Sequence, residues 1–418
     1  MSELSEQARS VALGSRRSGF FYGWAIVWAG FVLLTLSAGI TYSTPVLFRF
    51  FEADFGIGRG QAAFIFSFSQ LTAFVIGPAA GALAEKHGPR RVVGAGVVLL
   101  TLGLLSASLA TSYLPLVICF GLAAGVGSGT VYVPLLGLIQ RWFYRRRGLA
   151  SGIATTGVSI GTLAFPIIAA EGAAAFGWRL LYVGFALVCV SVGLLAASVL
   201  IADPAAKGQN PDGATDASVQ PGEAAISGMT LREALRDRQF YLIYFCSFGA
   251  AVLSFMAFVH LPQHMAEASG DRMSAASIIS VIGLASLASR LGGGSWADAI
   301  GRVTMVRVAL LLMLATSCLW FANPWGPRVF FIVAAWFGIT YGLCIALLPT
   351  VIADSFGNRE ISRIIGTLYT SFALAALVGP TLAGVLRDTY GNYDLPLQIC
   401  IVLSSLTLIA SAGISRRF

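Results

Sequence analysis

The sequence predicts an all-α integral membrane protein of twelve transmembrane helices, arranged as two halves of six helices with both termini in the cytoplasm. Of the 418 residues, 57% are hydrophobic and only 11% are charged, and the mean hydropathy is +0.80. An ordinary soluble domain has roughly 25% charged residues. Twelve apolar stretches are each about as long as a helix needs to cross the roughly 30 Å of hydrocarbon in a bilayer.

These apolar runs lack the alternation of barrel strands, which favours helices. In chain order the predicted helices cover residues 24–50, 62–84, 92–110, 113–139, 149–170, 178–201, 240–263, 275–297, 305–322, 328–351, 364–385 and 394–415. The chain then divides into a cytoplasmic tail (1–19), a first half (20–202), a cytoplasmic linker (203–238) and a second half (239–418). The linker is rich in Pro, Gly, Asp and Ser up to residue 228, so we expect it to be flexible there. Its polar end, 230–238, is compatible with a helix along the inner interface.

The basic residues predict the orientation, since Lys and Arg accumulate in cytoplasmic loops. With the N-terminus inside, twenty of the 27 basic residues fall on the inner side and six on the outer side, and only Arg290 is left over. The net charge of +8 is therefore a topology signal in a lipid bilayer and no sign of nucleic-acid binding. The strong preference for arginine over lysine and the short loops indicate a multi-pass protein of a bacterial inner membrane.

Two inner loops repeat along the chain. The stretch GALAEKHGPRR begins at Gly81 and a weaker copy, GSWADAIGR, begins at Gly294, a spacing of 213 (294 minus 81). Gly152 and Gly366, in the fifth and eleventh helices, repeat at 214 (366 minus 152), as do two prolines in the same helices. Matching spacings over half the chain indicate duplication of a six-helix unit.

The first loop resembles the signature loop of the major facilitator superfamily, and the copy stands where the second half of that family has its own. The resemblance implies the major facilitator fold, in which these loops control opening of the inner side through charge and helix-dipole contacts. The positions that match this gating motif are Gly81, Glu85, Gly88, Arg90, Asp298, Gly301 and Arg302.

A longer motif follows the fourth helix. Residues 142–157 read WFYRRRGLASGIATTG, which is similar to a run found in the monocarboxylate transporter family and its oxalate/formate antiporter relatives. Three arginines in this run would anchor the inner interface. The small residues Gly152, Gly157 and Gly161 would let a neighbouring helix pack closely.

Arg290 is the leading candidate for a binding residue. Arginine stays protonated in proteins, and an unpaired charge inside a membrane is very expensive. All nineteen acidic residues fall in tails, loops or helix ends, so none is a clear partner. We therefore expect the carboxylate of a bound organic acid to pair with Arg290 through two hydrogen bonds. The alternative is that Arg290 reaches inner solvent or meets Asp298, about 12 Å away along the helix.

The family resemblance supports carboxylate binding by Arg290, but it does not support proton coupling through the residues that animal members use. Arg290 matches the arginine with which monocarboxylate transporters hold their substrate, but Ser286 and Val46 stand where animal members have an aspartate and a lysine. The proton-handling set of that family is therefore incomplete. Bacterial relatives use a histidine and a tyrosine that correspond to His260 and Tyr341. His260 is thus a candidate proton carrier or substrate donor, with an interfacial histidine as the alternative.

Matching of helices to the family adds the substrate-lining candidates Tyr132, Tyr369 and Phe372. Aromatic residues with one polar atom suit a mostly apolar pocket that orients a small acid.

The function expected is secondary active transport of a small organic monocarboxylate, similar to lactate or pyruvate, by alternating access with a proton as coupling ion. Anion exchange of the oxalate/formate type, or a bulkier organic anion or vitamin as substrate, are the alternatives, and a non-transporting receptor stays open. A cation exporter ordinarily needs an acidic residue within the membrane. An enzyme needs clustered nucleophiles, bases or metal ligands. The sequence shows neither, and its six cysteines lack CxxC spacing, so no catalytic residue, metal or cofactor is predicted.

Overall fold

The computed structural model describes residues 21–213, 228–269, 272–323 and 328–415, which are almost entirely helical. The predicted tail lies outside the described residues. The first six helices are Gly23–Phe55, Arg59–Val75 with Gly77–His87, Pro89–Ser108, Tyr113–Trp142, Arg147–Phe176 and Trp178–Ser198. The second six are Arg238–Ser269, Arg272–Ile300, Arg302–Ala322, Val329–Phe356, Ile361–Tyr390 and Asp394–Ser411. Each predicted segment falls on one of these helices, which are numbered below in this order.

The helical membrane fold predicted from the sequence is confirmed. In the part of the chain that the structure describes, ten helices are long and apolar enough to cross a membrane, and the broken second helix adds another if its two pieces form one span. The eighth helix has 29 residues, and its apolar section includes Val281–Gly293. We use "inner end" for the helix ends on the side of both termini, which the basic residues predict to be cytoplasmic.

The second helix differs from the continuous segment expected. It is broken at Ile76, and its two pieces meet at 43°. Pro78 lies in the first turn of the inner piece, where its missing N–H costs no hydrogen bond but its ring disturbs the preceding turn. The bend brings Gly77–His87 against the eleventh helix of the other half.

The two halves have separate apolar cores. One cluster of buried residues runs from Ile26 to Leu200. The other runs from Ala234 to Ile414 and adds two residues of the fourth helix. A seam between the halves therefore crosses the middle of the molecule.

The backbone repeats with the spacings found in the sequence. Gly88 and Gly301 separate the second from the third helix and the eighth from the ninth, with φ of 84° and 103°. Gly177 and Gly391 take the corresponding places after the fifth and eleventh helices, with φ of 81° and 77°. Positive φ favours glycine, which explains why glycine occupies both members of each pair.

The first part of the linker is held against the first half, which corrects the expectation of flexibility for residues 203–213. The Asp212 carboxylate accepts hydrogen bonds from the backbone N–H groups of Tyr144 at 2.8 Å, Arg145 at 2.6 Å and Arg146 at 3.3 Å. These groups precede the fifth helix, whose positive end favours an anion. Residues 214–227 lie outside the described residues.

The second end of the linker holds the equivalent loop of the other half. The backbone N–H of Met229 donates to the Phe356 carbonyl at 2.7 Å, and that of Leu231 donates to the Glu360 carboxylate at 2.7 Å. The polar stretch predicted to be helical forms one turn, Leu231–Ala234. The two ends of the linker thus form hydrogen bonds with the loop before the fifth helix and with the loop before the eleventh.

Candidate functional site

Arg290 lies deep in the eighth helix, with an exposed fraction of 0%. Ten residues separate it from Ile300, so it lies about 15 Å inside the inner end. The alternative that it reaches solvent is therefore wrong. Asp298 does not pair with Arg290, because the Asp298 carboxylate is bound by Arg302 at 2.8 Å and by backbone groups of the fifth helix.

Three neighbours hold the Arg290 guanidinium, and none is a carboxylate. Its Nε donates to the Ser286 hydroxyl at 3.1 Å, and its Nη1 donates to the backbone carbonyl of Thr155 in the first half. The guanidinium carbon lies 5.3 Å from the ring centre of Tyr341. The remaining terminal nitrogen, Nη2, is buried without a hydrogen-bond partner among the described residues. A buried charged donor of this kind is costly, so an anion would gain most at this atom.

The duplication explains how the seam accommodates this side chain. Gly77 lies 213 positions before Arg290 and occupies the same place in the second helix. A Cβ atom on Gly77 would lie 3.1 Å from the carbonyl oxygen of Gly366, so at that crossing the two backbones are in contact. The fifth and eighth helices form the equivalent crossing, where the Arg290 side chain lies between them. One crossing is therefore a backbone contact, and the other contains a charged side chain.

A cavity of about 60 Å³ lies between the halves at mid-depth. Since one water needs about 10–15 Å³ by this measure, the cavity holds a few waters or a compact ligand in this conformation. Its lining is Leu34, Ser37, Ala38, Thr41, Tyr42, Gln70, Ala73, Phe74, Ser128, Gly129, Tyr132, Val158, Ser254, Phe255, Phe258, Tyr341, Ile345 and Phe372. No acidic or basic side chain is among these residues.

Three of the lining candidates meet at this cavity. Tyr132, Tyr341 and Phe372 contribute to its wall. Tyr341 also separates the cavity from Arg290, because its ring covers the guanidinium. A carboxylate in the cavity would thus have to displace or pass the Tyr341 ring to reach Arg290.

His260 and Tyr369 are not among the residues that line the cavity. His260 is 5% exposed, and its ring nitrogens lie 3.3 Å from the Tyr393 hydroxyl and 3.0 Å from the Pro380 carbonyl oxygen. These contacts tie the seventh helix to the eleventh and twelfth. Tyr369 packs edge-on against Tyr132 with ring centres 5.8 Å apart, directly behind the cavity wall.

The inner ends of the halves are joined by two equivalent carboxylates. Glu85, at the end of the second helix, accepts from the backbone N–H groups of Ser362 at 3.0 Å and Arg363 at 3.2 Å. Asp298, 213 positions later, accepts from the N–H groups of Gly148 at 3.1 Å and Leu149 at 3.0 Å. Each carboxylate therefore caps the positive end of a helix in the opposite half.

A buried ion cluster lies beside the contact between Asp298 and the fifth helix. Asp354, 2% exposed, is bound by Arg147 at 3.0 Å and by Arg302 at 2.8 Å. Arg302 also donates to the backbone carbonyls of Tyr144 at 3.0 Å and Arg145 at 3.1 Å. Because Arg147 belongs to the first half and Asp354 to the second, this cluster closes the inner side in this conformation.

Sequence reasoning missed Asp354 and Arg147. Asp354 was counted among acidic residues at helix ends, and Arg147 among the residues that set the orientation. Comparison of the repeats was the available signal, because Asp354 replaces the neutral Gln140 found 214 positions earlier.

A family model described as "Major Facilitator Superfamily" matches residues 27–380, and a second match covers 246–415. The chain belongs to the major facilitator superfamily. Monocarboxylate transporter 13 of Rattus norvegicus is 28% identical over 394 residues, which cover 94% of this chain and 88% of that protein. The chain is thus a major facilitator transporter that resembles the monocarboxylate transporter group, and its relatives are transporters rather than enzymes.

Two solved structures share the fold of this major facilitator protein. A variant of the E. coli fucose:proton symporter FucP has a TM-score of 0.72 at 14% identity, over 95% of this chain and 100% of that one. The human organic anion transporter MFSD10 (TETRAN) has a TM-score of 0.69 at 17% identity, over 94% of this chain and 99% of that one.

The other predicted gating positions of this major facilitator protein take different places. Gly81 packs against the eleventh helix, where a Cβ atom would lie 2.3 Å from the Ser362 carbonyl oxygen. Gly88 and Gly301 form the turns described above. Arg90 is exposed and has no ion pair among the described side chains. At the spacing of 213 it aligns with Val303, whereas Arg302 aligns with Pro89, so the buried contacts of Arg302 have no counterpart in the first half.

Proposed function

We propose that this transporter moves a small organic monocarboxylate across the membrane by alternating access, with Arg290 as the residue that binds the carboxylate. The observation that supports this most is the buried Nη2 of Arg290, which has no partner among the described residues. A carboxylate could accept from Nη2 and from Nη1 in place of the Thr155 carbonyl. Tyr341, Tyr132 and Phe372 would enclose the remainder of the acid.

The bond from Arg290 to Thr155 also suggests how binding drives the conformational change. Opening of the inner side separates the fifth and eighth helices and breaks this bond, which leaves the guanidinium in an apolar seam. A bound carboxylate would compensate the charge during that movement. Only the loaded carrier would then change conformation easily.

Coupling to a proton is part of the proposal, with the acid itself as the proposed route for the proton. The lining of the cavity includes no carboxyl or imidazole group. His260 does not line the cavity, and its ring nitrogens contact the Tyr393 hydroxyl and the Pro380 carbonyl oxygen. The same lining favours the second candidate, exchange of one organic anion for another, since exchange needs no proton site. The volume of about 60 Å³ supports a compact acid over a bulky anion or vitamin in this conformation.

The protein would carry out this transport in the inner membrane of a bacterium, as its short loops and its preference for arginine over lysine suggest.

The test is uptake of labelled acids (lactate, pyruvate, acetate, oxalate and an aromatic acid) into proteoliposomes, with and without an inward proton gradient. We expect Arg290→Ala to reduce uptake at least about 100-fold, because a charged hydrogen-bonded pair is lost. Arg290→Lys keeps the charge but not the planar pair of donors, and should recover only part of the activity. Full uptake by Arg290→Ala would contradict the assignment, and absence of uptake of every acid by the parent protein would contradict the proposed function.

A further inference from the structure

The two walls of the central cavity differ in chemistry. The second half contributes mainly aromatic and apolar side chains: Phe255, Phe258, Tyr341, Ile345 and Phe372. The first half contributes aromatic side chains as well, and it adds a row of small polar groups: Ser37, Thr41, Gln70 and Ser128. A ligand consisting only of a carboxylate and a hydrocarbon tail would leave this polar row without a hydrogen-bond partner from the ligand.

Two of the aliphatic hydroxyls around the cavity already donate their hydrogen within their own helix. Thr41 donates to the Ser37 carbonyl at 2.9 Å, and Ser254 donates to the Ala250 carbonyl at 2.7 Å. These two hydroxyls can only accept a further hydrogen bond, so they offer no donor to an oxygen atom of a ligand.

The pair formed by Ser37 and Ser128 is different. Their Oγ atoms lie 2.7 Å apart, so one hydroxyl donates to the other. Two hydroxyls carry two hydrogens, and this bond uses one of them. The described contacts of the two side chains include no carbonyl that takes the second hydrogen. Both residues line the cavity, and Ser37 is 4% exposed, so the second hydrogen is a shielded donor available to a ligand.

The position of the pair suits a ligand held by Arg290. Ser37 is about fourteen residues from the inner end of the first helix, and Ser128 is about as far from the inner end of the fourth, so both lie about 21 Å deep. Arg290 lies about 15 Å deep. The serine pair therefore lies a few ångströms further out than the Arg290 backbone, and the Arg290 side chain points in that direction, to Ser286 one helical turn further out.

We propose that Ser37 and Ser128 form a second polar subsite, which donates a hydrogen bond to the hydroxyl or keto oxygen of a hydroxy- or oxo-monocarboxylic acid. This inference rests on the proposed function, because Arg290 would hold the carboxylate of the same molecule. The subsite makes a plain fatty acid of the same length a poorer substrate, since the serine donor would then lose its water without gaining a partner.

The experiment measures the ratio of apparent affinities for matched pairs of acids in proteoliposomes: lactate against propionate, and 3-hydroxybutyrate against butyrate. We expect the parent protein to favour at least one oxygenated acid by about three- to tenfold. In Ser128→Ala and in Ser37→Ala combined with Ser128→Ala, that ratio should fall towards one. Ser254→Ala is the matched control: it removes a hydroxyl from the same cavity whose hydrogen is already bound, and should keep the ratio of the parent.

The outcomes separate the two proposals. The proposed subsite is wrong if the parent transports both members of each pair equally. It is also wrong if the double variant keeps the parent's ratio of apparent affinities. Neither result contradicts the proposed function. If the parent transports no acid, the proposed function fails first. Where a variant transports too slowly, thermal stabilisation of the purified protein by each acid gives the same ratio.

Discussion

At the scale of single residues, the two buried charges of Arg290 and Asp354 are stabilised by different kinds of neighbour. Arg290 has a hydroxyl, a backbone carbonyl and a ring face as neighbours. Asp354 has two arginines. One terminal nitrogen of Arg290 has no partner among the described residues, and we propose that a ligand binds there, whereas Asp354 already has two charged partners.

Asp354→Asn should open the inner side. The substitution leaves Arg147 buried without its carboxylate partner, while Arg302 keeps Asp298 at 2.8 Å. Loss of one partner from a buried pair costs about 3–5 kcal/mol. We expect faster labelling of an inner-facing cysteine by a membrane-impermeant maleimide, together with a lower unfolding temperature. Glu171→Gln, which changes an exposed carboxylate, is the control and should alter neither. Labelling unchanged in Asp354→Asn would show that the cluster does not hold the inner side closed.

At the scale of elements, the second and eleventh helices seal one crossing of the seam by backbone contact. A Cβ atom on Gly366 would lie 2.3 Å from the carbonyl oxygen of Gly77. The bend at Ile76 directs the inner piece of the second helix to this contact, and Glu85 then caps the eleventh helix.

Gly366→Ala should therefore prevent full closure of the inner side. The added methyl group meets backbone atoms, which cannot move aside as a flexible side chain can. We expect substrate uptake from outside to fall at least tenfold while protein in the membrane stays near the parent level. Gly94→Ala, in the third helix, is the control because a Cβ atom there has nothing within 4 Å. Normal transport by Gly366→Ala would mean that the two helices never need this approach.

At the scale of the whole molecule, the proposed mechanism makes the seam between the two cores the surface on which the halves move. The contacts described at the inner ends hold them together on that side. Whether an empty carrier can return through the same movement depends on the charge of Arg290.

We expect exchange to exceed net transport. Proteoliposomes loaded with unlabelled acid should take up labelled acid several-fold faster than empty ones, because the bare guanidinium slows return of the empty carrier. The rates are measured with the pH equal on both sides. Equal initial rates in loaded and empty vesicles would contradict the proposed role of Arg290 in the return step.

The helix count and the unusual position of Arg290 could be predicted from composition and spacing, since membrane spans need long apolar runs and basic loops set orientation. The duplication was visible as well, because glycines at positive φ recur at fixed spacing. Gly77 shows the limit of this reasoning: the spacing of 213 pairs it with Arg290, but only the folded seam reveals that its backbone contacts that of Gly366. His260 was predicted to bind substrate from helix matching, but the direction of a side chain depends on packing around it.

The sequence by itself determined the membrane fold, its two halves and the presence of one deeply buried cation, because these follow from the local order of apolar and charged residues. Only the tertiary structure decided which groups meet that cation, that Tyr341 covers it, and that Asp354 joins the two halves. The contacts of Arg290 with Tyr341 and Thr155 and of Asp354 with Arg147 connect residues 51, 135 and 207 positions apart, so they depend on how the helices pack together and not on any local pattern.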